Sequence, residues 1–157
     1  TFGGIGETCA VAIESLRIIS DKEFLKSVNE KGDYFITELI ELSKSHNDLI
    51  INIRGRGLIV GIEFNFPANF DSLGSNLIKT KNQFFISSLV RELYKKHSIL
   101  CAFALSAPNT LELTPPLIID KDQIDYFIKS LDSVLNEGFI KLGSKLATGY
   151  LHSKIIT

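Results

Sequence analysis

The spacing of apolar residues changes twice along this chain, and that change restricts the folds open to it. Leu58, Val60, Ile62 and Phe64 recur at every second residue, the period of a strand with one face buried. On either side the period is helical. Phe24, Val28, Phe35, Leu39 and Leu42 hold one face of a segment opening at about Asp21, with Gly32 standing in the missing turn. Ile124, Phe127, Ile128, Leu131, Val134 and Leu135 form the most regular helical face, after Asp120. Both openings carry capping-box pairs, Ser20 with Glu23 and Asp120 with Gln123.

The remaining segments fit between these anchors. Gly6 to Ile19 reads as a helix with a small-residue face of Cys9, Ala10, Ile13 and Leu16, and the second helix ends near His46-Asn47-Asp48. Leu49 to Ile53 is a short strand, Arg54-Gly55-Arg56-Gly57 punctuates it, and Gly61 inside the next strand marks a bulge or a close backbone approach. Residues 65–79 read as a loop, and a helix from about Thr80 to His97 buries Phe85, Leu89 and Leu93. Ile99 to Phe103 and Thr110 to Thr114 are strands, separated by a turn at Ala107-Pro108-Asn109, with Pro115-Pro116 ending the second. This order predicts an α+β fold, a small antiparallel sheet of three to four strands with helices packed on one face, preceded by a linking helix. The order alone also permits a ferredoxin-like ligand-sensing module.

Composition narrows the function classes. The chain has 157 residues, enough to close one hydrophobic core without metal or disulfide staples. A net charge of −1 gives no reason to expect a nucleic-acid partner. No apolar run approaches the roughly 20 residues that span a bilayer, and no signal peptide is visible. Cys9 and Cys101 sit in apolar runs without zinc-like spacing and read as reduced core thiols, which suits a cytoplasmic protein. The start at Thr1 and the lack of any Met suggest a piece of a longer protein. Residues 137–157 carry Lys141, Lys145 and Lys154 and no acidic residue after Glu137, which suggests a basic linker or docking helix.

Few residues have the arrangement that chemistry needs. Thr1-Phe2-Gly3-Gly4 is either an N-cap with a flexible glycine pair or a cradle of amides for a phosphate at a helix N-terminus. Arg54-Gly55-Arg56-Gly57 is either a tight turn with solvated arginines or a basic anion site. Glu112 stands between Leu111 and Leu113, so it faces away from the helices, onto an exposed face or into a cleft. His46, His97 and His152 sit at helix ends in polar company, where a helix dipole suits them, and no pair has metal-ligand spacing. No nucleophile-elbow, Walker or Rossmann pattern occurs.

Taken in series, five of these features resemble the class III (subgroup II) aminotransferases of the fold-type-I, pyridoxal-phosphate-dependent superfamily. They are Thr1 to Gly4, the Cys9-Ala10-Val11-Ala12 helix, Arg54-Gly55-Arg56-Gly57-Leu58 leading to Gly61-Ile62-Glu63, Pro108-Asn109-Thr110-Leu111 with Pro115-Pro116-Leu117-Ile118-Ile119, and the cap at Asp120. The resemblance covers residues 1 to 136 and implies the C-terminal small domain of such an enzyme. It implies an interdomain segment at 1–20, a small domain at 21–136 and a tail at 137–157. The cofactor would be pyridoxal 5'-phosphate, with Thr1 contacting its phosphate across a homodimer interface. The Schiff-base lysine would lie upstream, so no catalytic residue, and no metal ligand, is expected here. The substrates would be a small amino donor and a carbonyl acceptor. Many members of the family continue Thr-Phe-Gly-Gly with Asn-Pro, where this chain has Ile5-Gly6, and many carry an arginine for a substrate carboxylate where Glu112 stands. Glu112 thus becomes a candidate substrate-binding residue of reversed charge. The rival expectation from another class is a non-catalytic ligand-sensing or assembly module.

Overall fold

The computed structural model describes residues 4–65, 75–103 and 106–138, with the side chains of 75–84 left aside. The expectations for Thr1, for the loop over 66–74, for the tail over 139–157 and for His152 lie outside these residues. The elements follow the expected order: α1 (Gly6–Ile19), α2 (Lys22–Ser45), β1 (Ile50–Arg56), β2 (Ile59–Phe64), α3 (Ser75–His97), β3 (Ala102–Phe103), β4 (Thr110–Leu113) and α4 (Lys121–Leu135). All strand pairs are antiparallel, and the sheet order is β1-β2-β4-β3. The expected α+β architecture is therefore the observed one.

The core lies between one face of the sheet and the helices. Leu58, Val60, Ile62 and Phe64 are buried as their alternation required, and Leu111 and Leu113 join them from β4. Phe35 and Leu39 of α2, Phe85, Ile86, Leu89 and Leu93 of α3, and Ile124, Phe127 and Leu131 of α4 close over that face. Phe35 and Phe127 meet edge to face at 5.5 Å between ring centroids, joining α2 to α4. Tyr34 reinforces the same seam. Its hydroxyl donates to Asp125 Oδ1 at 2.5 Å, and this bond, followed by desolvation, pushes its pKa up to about 12. At the far end of α2, His46 is buried with Nε2 2.7 Å from Asp132 Oδ1 on α4.

Register explains several departures from the expected element limits. β1 runs through Arg54-Gly55-Arg56 rather than stopping at Ile53, and the turn is confined to Gly57-Leu58. Only Gly57 takes the left-handed conformation there, at φ +55. Of the two readings of Gly61, the bulge sits instead at Ile51, where the β1–β2 register slips between the pairs Ile50↔Phe64 and Asn52↔Glu63, while at Gly61 the close neighbour is a side chain, Thr110 Cγ2, 3.3 Å from where a Cβ would stand. Ile50 and Ile53 are three positions apart, so regular pleating would put them on opposite faces; the extra residue lets both face inward, opposite Phe64 and Ile62.

The helix ends differ in detail too. Ser20 is used as the C-cap of α1, and Asp21, in extended conformation, caps α2 by accepting from Phe24 N at 2.8 Å. The expected Ser20–Glu23 box is thus absent: the cap is one residue later, and Phe24 at the third position has no side-chain acceptor to complete a box. The Asp120–Gln123 box is present with both of its bonds. α3 begins at Ser75, before the expected Thr80, because Ser and Asn at 75 and 76 open helices as readily as they make loops. β3 keeps only Ala102–Phe103, since Ser98 turns at φ +56 and residues 99–101 leave α3 as a wall, not a strand.

Two thiols also depart from expectation. None of the residues of α1 is buried, so Cys9 is exposed rather than a core thiol, while Cys101 is half-buried. Gly32 has a packing reason for its place. A Cβ there would lie 2.3 Å from the carbonyl oxygen of Gly57, so α2 rests backbone to backbone on the β1–β2 turn.

Candidate functional site

The outer face of the sheet carries the polar residues that alternation turned away from the core. Asn52, Arg54, Glu63 and Asn109 form one cluster there. Glu63 Oε2 accepts from Arg54 Nη1 at 2.6 Å and from Asn52 Nδ2 at 3.5 Å, and Oε1 accepts from Asn109 Nδ2 at 3.3 Å. The Arg54 bond is the main cause of a carboxyl pKa held below its usual value, against a smaller opposing desolvation. Arg54 is therefore spent on an internal carboxylate, and the basic-anion reading of Arg54-Gly55-Arg56-Gly57 loses its first arginine.

Glu112 lies on this face, one strand further in. It pairs in register with Gly61 on β2 and with Ala102 on β3. Neither neighbour has a side chain longer than a methyl group, and the side chains of Thr110 and Arg54 cover Gly61, where a Cβ would lie 3.3 Å from Thr110 Cγ2. Among the described residues no cation pairs with it.

Beside Glu112 opens a cavity of about 1220 Å³. Three stretches of chain wall it: residues 97–102 as α3 gives way to β3, residues 112–116 as β4 runs into Pro115-Pro116, and the first turns of α4 with Asp120, Asp122 and Tyr126. The Tyr126 hydroxyl donates to the His97 carbonyl at 2.9 Å and the two rings meet edge to face at 6.3 Å, which fixes that corner. His97 Nε2 is buried there with no hydrogen-bond partner among the described residues. Burial pushes the Cys101 thiol up to about 11, so it is protonated at neutral pH. Among the described residues, the acidic ones lining it are Glu112, Asp120 and Asp122, and no lysine or arginine lines it.

The residues matched to known proteins are those that build this arrangement. The family model for class-III aminotransferases matches residues 1–135. The chain belongs to the class-III aminotransferases. Among curated relatives of this family, an acetylornithine aminotransferase of Methanocaldococcus jannaschii is 33% identical over 137 residues, 87% of this chain and 29% of that protein. An ornithine aminotransferase of Staphylococcus saprophyticus is 28% identical over the same shares. An aminotransferase structure from Bacillus anthracis superposes with a TM-score of 0.64 at 26% identity, covering 83% of this chain and 28% of that one. The chain spans about three-tenths of the length of such relatives.

Of the two expected site residues, the structure places Glu112 on the cavity wall, while Thr1 lies outside the described residues. Sequence reasoning did not find His97 as a wall residue, reading it as a helix-end histidine, and it did not find Tyr126 or Cys101. No residue type announces the turn at Ser98 that sets His97 and Cys101 on the wall, since a serine at positive φ is uncommon. Among the described residues, the acidic lining of this cavity does not fit an anionic cofactor.

Proposed function

We infer that this chain is the small-domain part of a pyridoxal-phosphate-dependent aminotransferase that moves an amino group between an amine or amino acid and a keto acid or aldehyde. The observation that carries this reading is the family match over residues 1–135, which spans the whole described sheet and its three packed helices. Pyridoxal phosphate supplies the electron sink when bound, and the protein supplies position and electrostatics. The anionic groups of the cofactor belong with residues outside those described, and Thr1, ahead of α1, is the contribution this chain makes to the phosphate. That contact crosses a subunit boundary, so the active protein is a two-fold homodimer. The rival reading, a ligand-sensing or assembly module, rests on element order alone, and an aminotransferase structure superposes on 83% of the chain.

The test uses the complete protein that carries this chain. Reconstituted with pyridoxal phosphate, it is expected to gain the visible absorbance of bound cofactor, to sediment as a dimer and to transfer amino groups to a keto acid. Residues 1–157 alone are expected to show no transfer. Absence of both absorbance and transfer in the complete protein defeats the reading.

A further inference from the structure

We propose that the cavity at the end of the sheet is a docking groove for this chain's own tail, the segment Tyr150-Leu151-His152-Ser153-Lys154-Ile155-Ile156, with Lys154 set against the acidic rim. The proposal goes beyond the aminotransferase reading and does not depend on it.

The groove calls for an apolar cover. Leu100 and Ile118 are 83% and 79% exposed, the most exposed large apolar side chains among the described residues, and both line this one cavity. Tyr126 lines it too and is half-exposed. A single leucine in solvent needs no explanation, but apolar side chains gathered at one concave site of about 1220 Å³ form the kind of patch that another segment covers. Constrained backbone presents both: Leu100 follows Ser98 at φ +56, and Ile118 follows Pro115-Pro116, whose rings fix the chain ahead of it.

Charge and length select the occupant. Glu112, Asp120 and Asp122 line the groove, and among the described residues no lysine or arginine does. The tail has the opposite character: no acidic residue follows Glu137, and Lys141, Lys145 and Lys154 do. Lys154 stands between Leu151 and the pair Ile155-Ile156, so its ammonium arrives with the apolar side chains that Leu100 and Ile118 lack. Reach separates the three lysines. The tail leaves α4 at Gly138, at φ +81, while the groove lies at the other end of that helix, about 21 Å away. Residues 139–151 span about 20 Å as a helix and about 43 Å when extended, which brings the following lysine to the rim. Lys141, at most about 10 Å of chain from Gly138, falls short. The class-III match ends at residue 135, so this segment lies outside the part shared with the family.

The test uses the complete protein with the tail intact. Zero-length carbodiimide coupling followed by peptide mass spectrometry is expected to join Lys154 to Glu112, Asp120 or Asp122. Chymotryptic cleavage after Tyr150 reads release of the segment. Ile118→Asp changes a side chain already in solvent and is expected to speed that cleavage about tenfold. Asp122→Lys and Lys154→Glu are each expected to speed it about threefold. Combining those two reversals is expected to restore the parent's rate, a rescue that general loosening of the fold does not produce. A Lys154 crosslink that is absent or made only elsewhere, cleavage unchanged in Ile118→Asp, or a double reversal no slower than the single ones overturns the proposal. Coupling of the groove's carboxylates to a lysine elsewhere in the protein, or to one in a second copy when heavy-isotope-labelled and unlabelled protein are mixed, assigns the groove to that occupant and likewise overturns it.

Discussion

Replacing Gly32 with alanine tests the contact on which α2 is seated. In the middle of a helix this exchange normally gains about 1 kcal/mol, because alanine has the better helix propensity. Here the new Cβ would lie 2.3 Å from the Gly57 oxygen, 2.5 Å from its carbonyl carbon and 2.8 Å from its Cα. Every one of those atoms is backbone, so no side chain can swing aside. Relief requires α2 and the turn to part by about 1 Å, which loosens the dispersion contacts around them. The helix is held on that face by Val28, Phe35 and Leu39, all buried, and the turn by Gly57 at φ +55. Overpacking of this kind costs about 1–3 kcal/mol, and rigid atoms on both sides put it at the upper end. Net of the propensity gain, Gly32→Ala should destabilise by about 2 kcal/mol, a fall in Tm of about 4–8 °C for a chain of this size. Denaturant unfolding of the variant beside Asp33→Ala, one residue along on the exposed side of the same helix, separates steric cost from helix propensity. A Gly32→Ala protein as stable as the parent would refute the backbone seating of α2.

Three further outcomes follow from local chemistry. Asp120→Ala removes the cap and the capping box of α4 and should cost about 1 kcal/mol by denaturant unfolding; no loss would mean the box carries no net stability. Glu63, held below its ordinary value of 4.5 chiefly by Arg54, stabilises the fold above that pH, and the gain is lost as pH falls through the lower folded value. Glu63→Gln should therefore be less stable than the parent at neutral pH by under about 1 kcal/mol and equal to it in acid, as read from unfolding midpoints across the acid limb. Cys101, pushed up to about 11 by burial, should resist iodoacetamide at pH 8 while exposed Cys9 is alkylated, a difference that peptide mass spectrometry resolves; equal modification would contradict the burial of Cys101.

How much of this was legible beforehand depended on whether a residue's role was set by its own strand or helix. The alternation of Leu58 to Phe64 is a one-strand property, and it gave the inner face of β2 without knowledge of any partner. The capping of α4 is equally local, with donor and acceptor three residues apart. The outward direction of Glu112 was readable in the same way. What surrounds Glu112 was not, because Gly61 and Ala102 reach it only through register with two other strands. The same limit hid the bulge at Ile51. Its purpose is to bring Ile50 and Ile53 to one face, and that requirement comes from Phe64 and Ile62 across the ladder. Arg54-Gly55-Arg56 misread as a turn shows the reverse error: two glycines suggested a bend, yet Gly55 is a strand residue whose missing Cβ makes room for the Ile59 oxygen, 2.6 Å from where a Cβ would stand.

The pairing of β2 with β4 has a consequence for how the chain reaches its native state. β1 and β2 are joined by a two-residue turn and can zip locally, but the central seam unites Ile62 with Leu111, about 50 positions apart, at a loop-closure cost of roughly 3 kcal/mol. That cost is met before Val60, Ile62, Leu111 and Leu113 share a common apolar layer. On contact-order grounds the seam is the slow step: β1–β2 and β3–β4 are both local pairs, and the long closure is the one that joins β2 to β4. Ribosomal synthesis releases β1 and β2 well before β4. Until residues 110–113 have emerged, β2 presents an open edge with Val60, Ile62 and Phe64 along one side, a segment that other nascent chains can join. The time between the emergence of the hairpin and that of β4 sets how long this edge is exposed to aggregation.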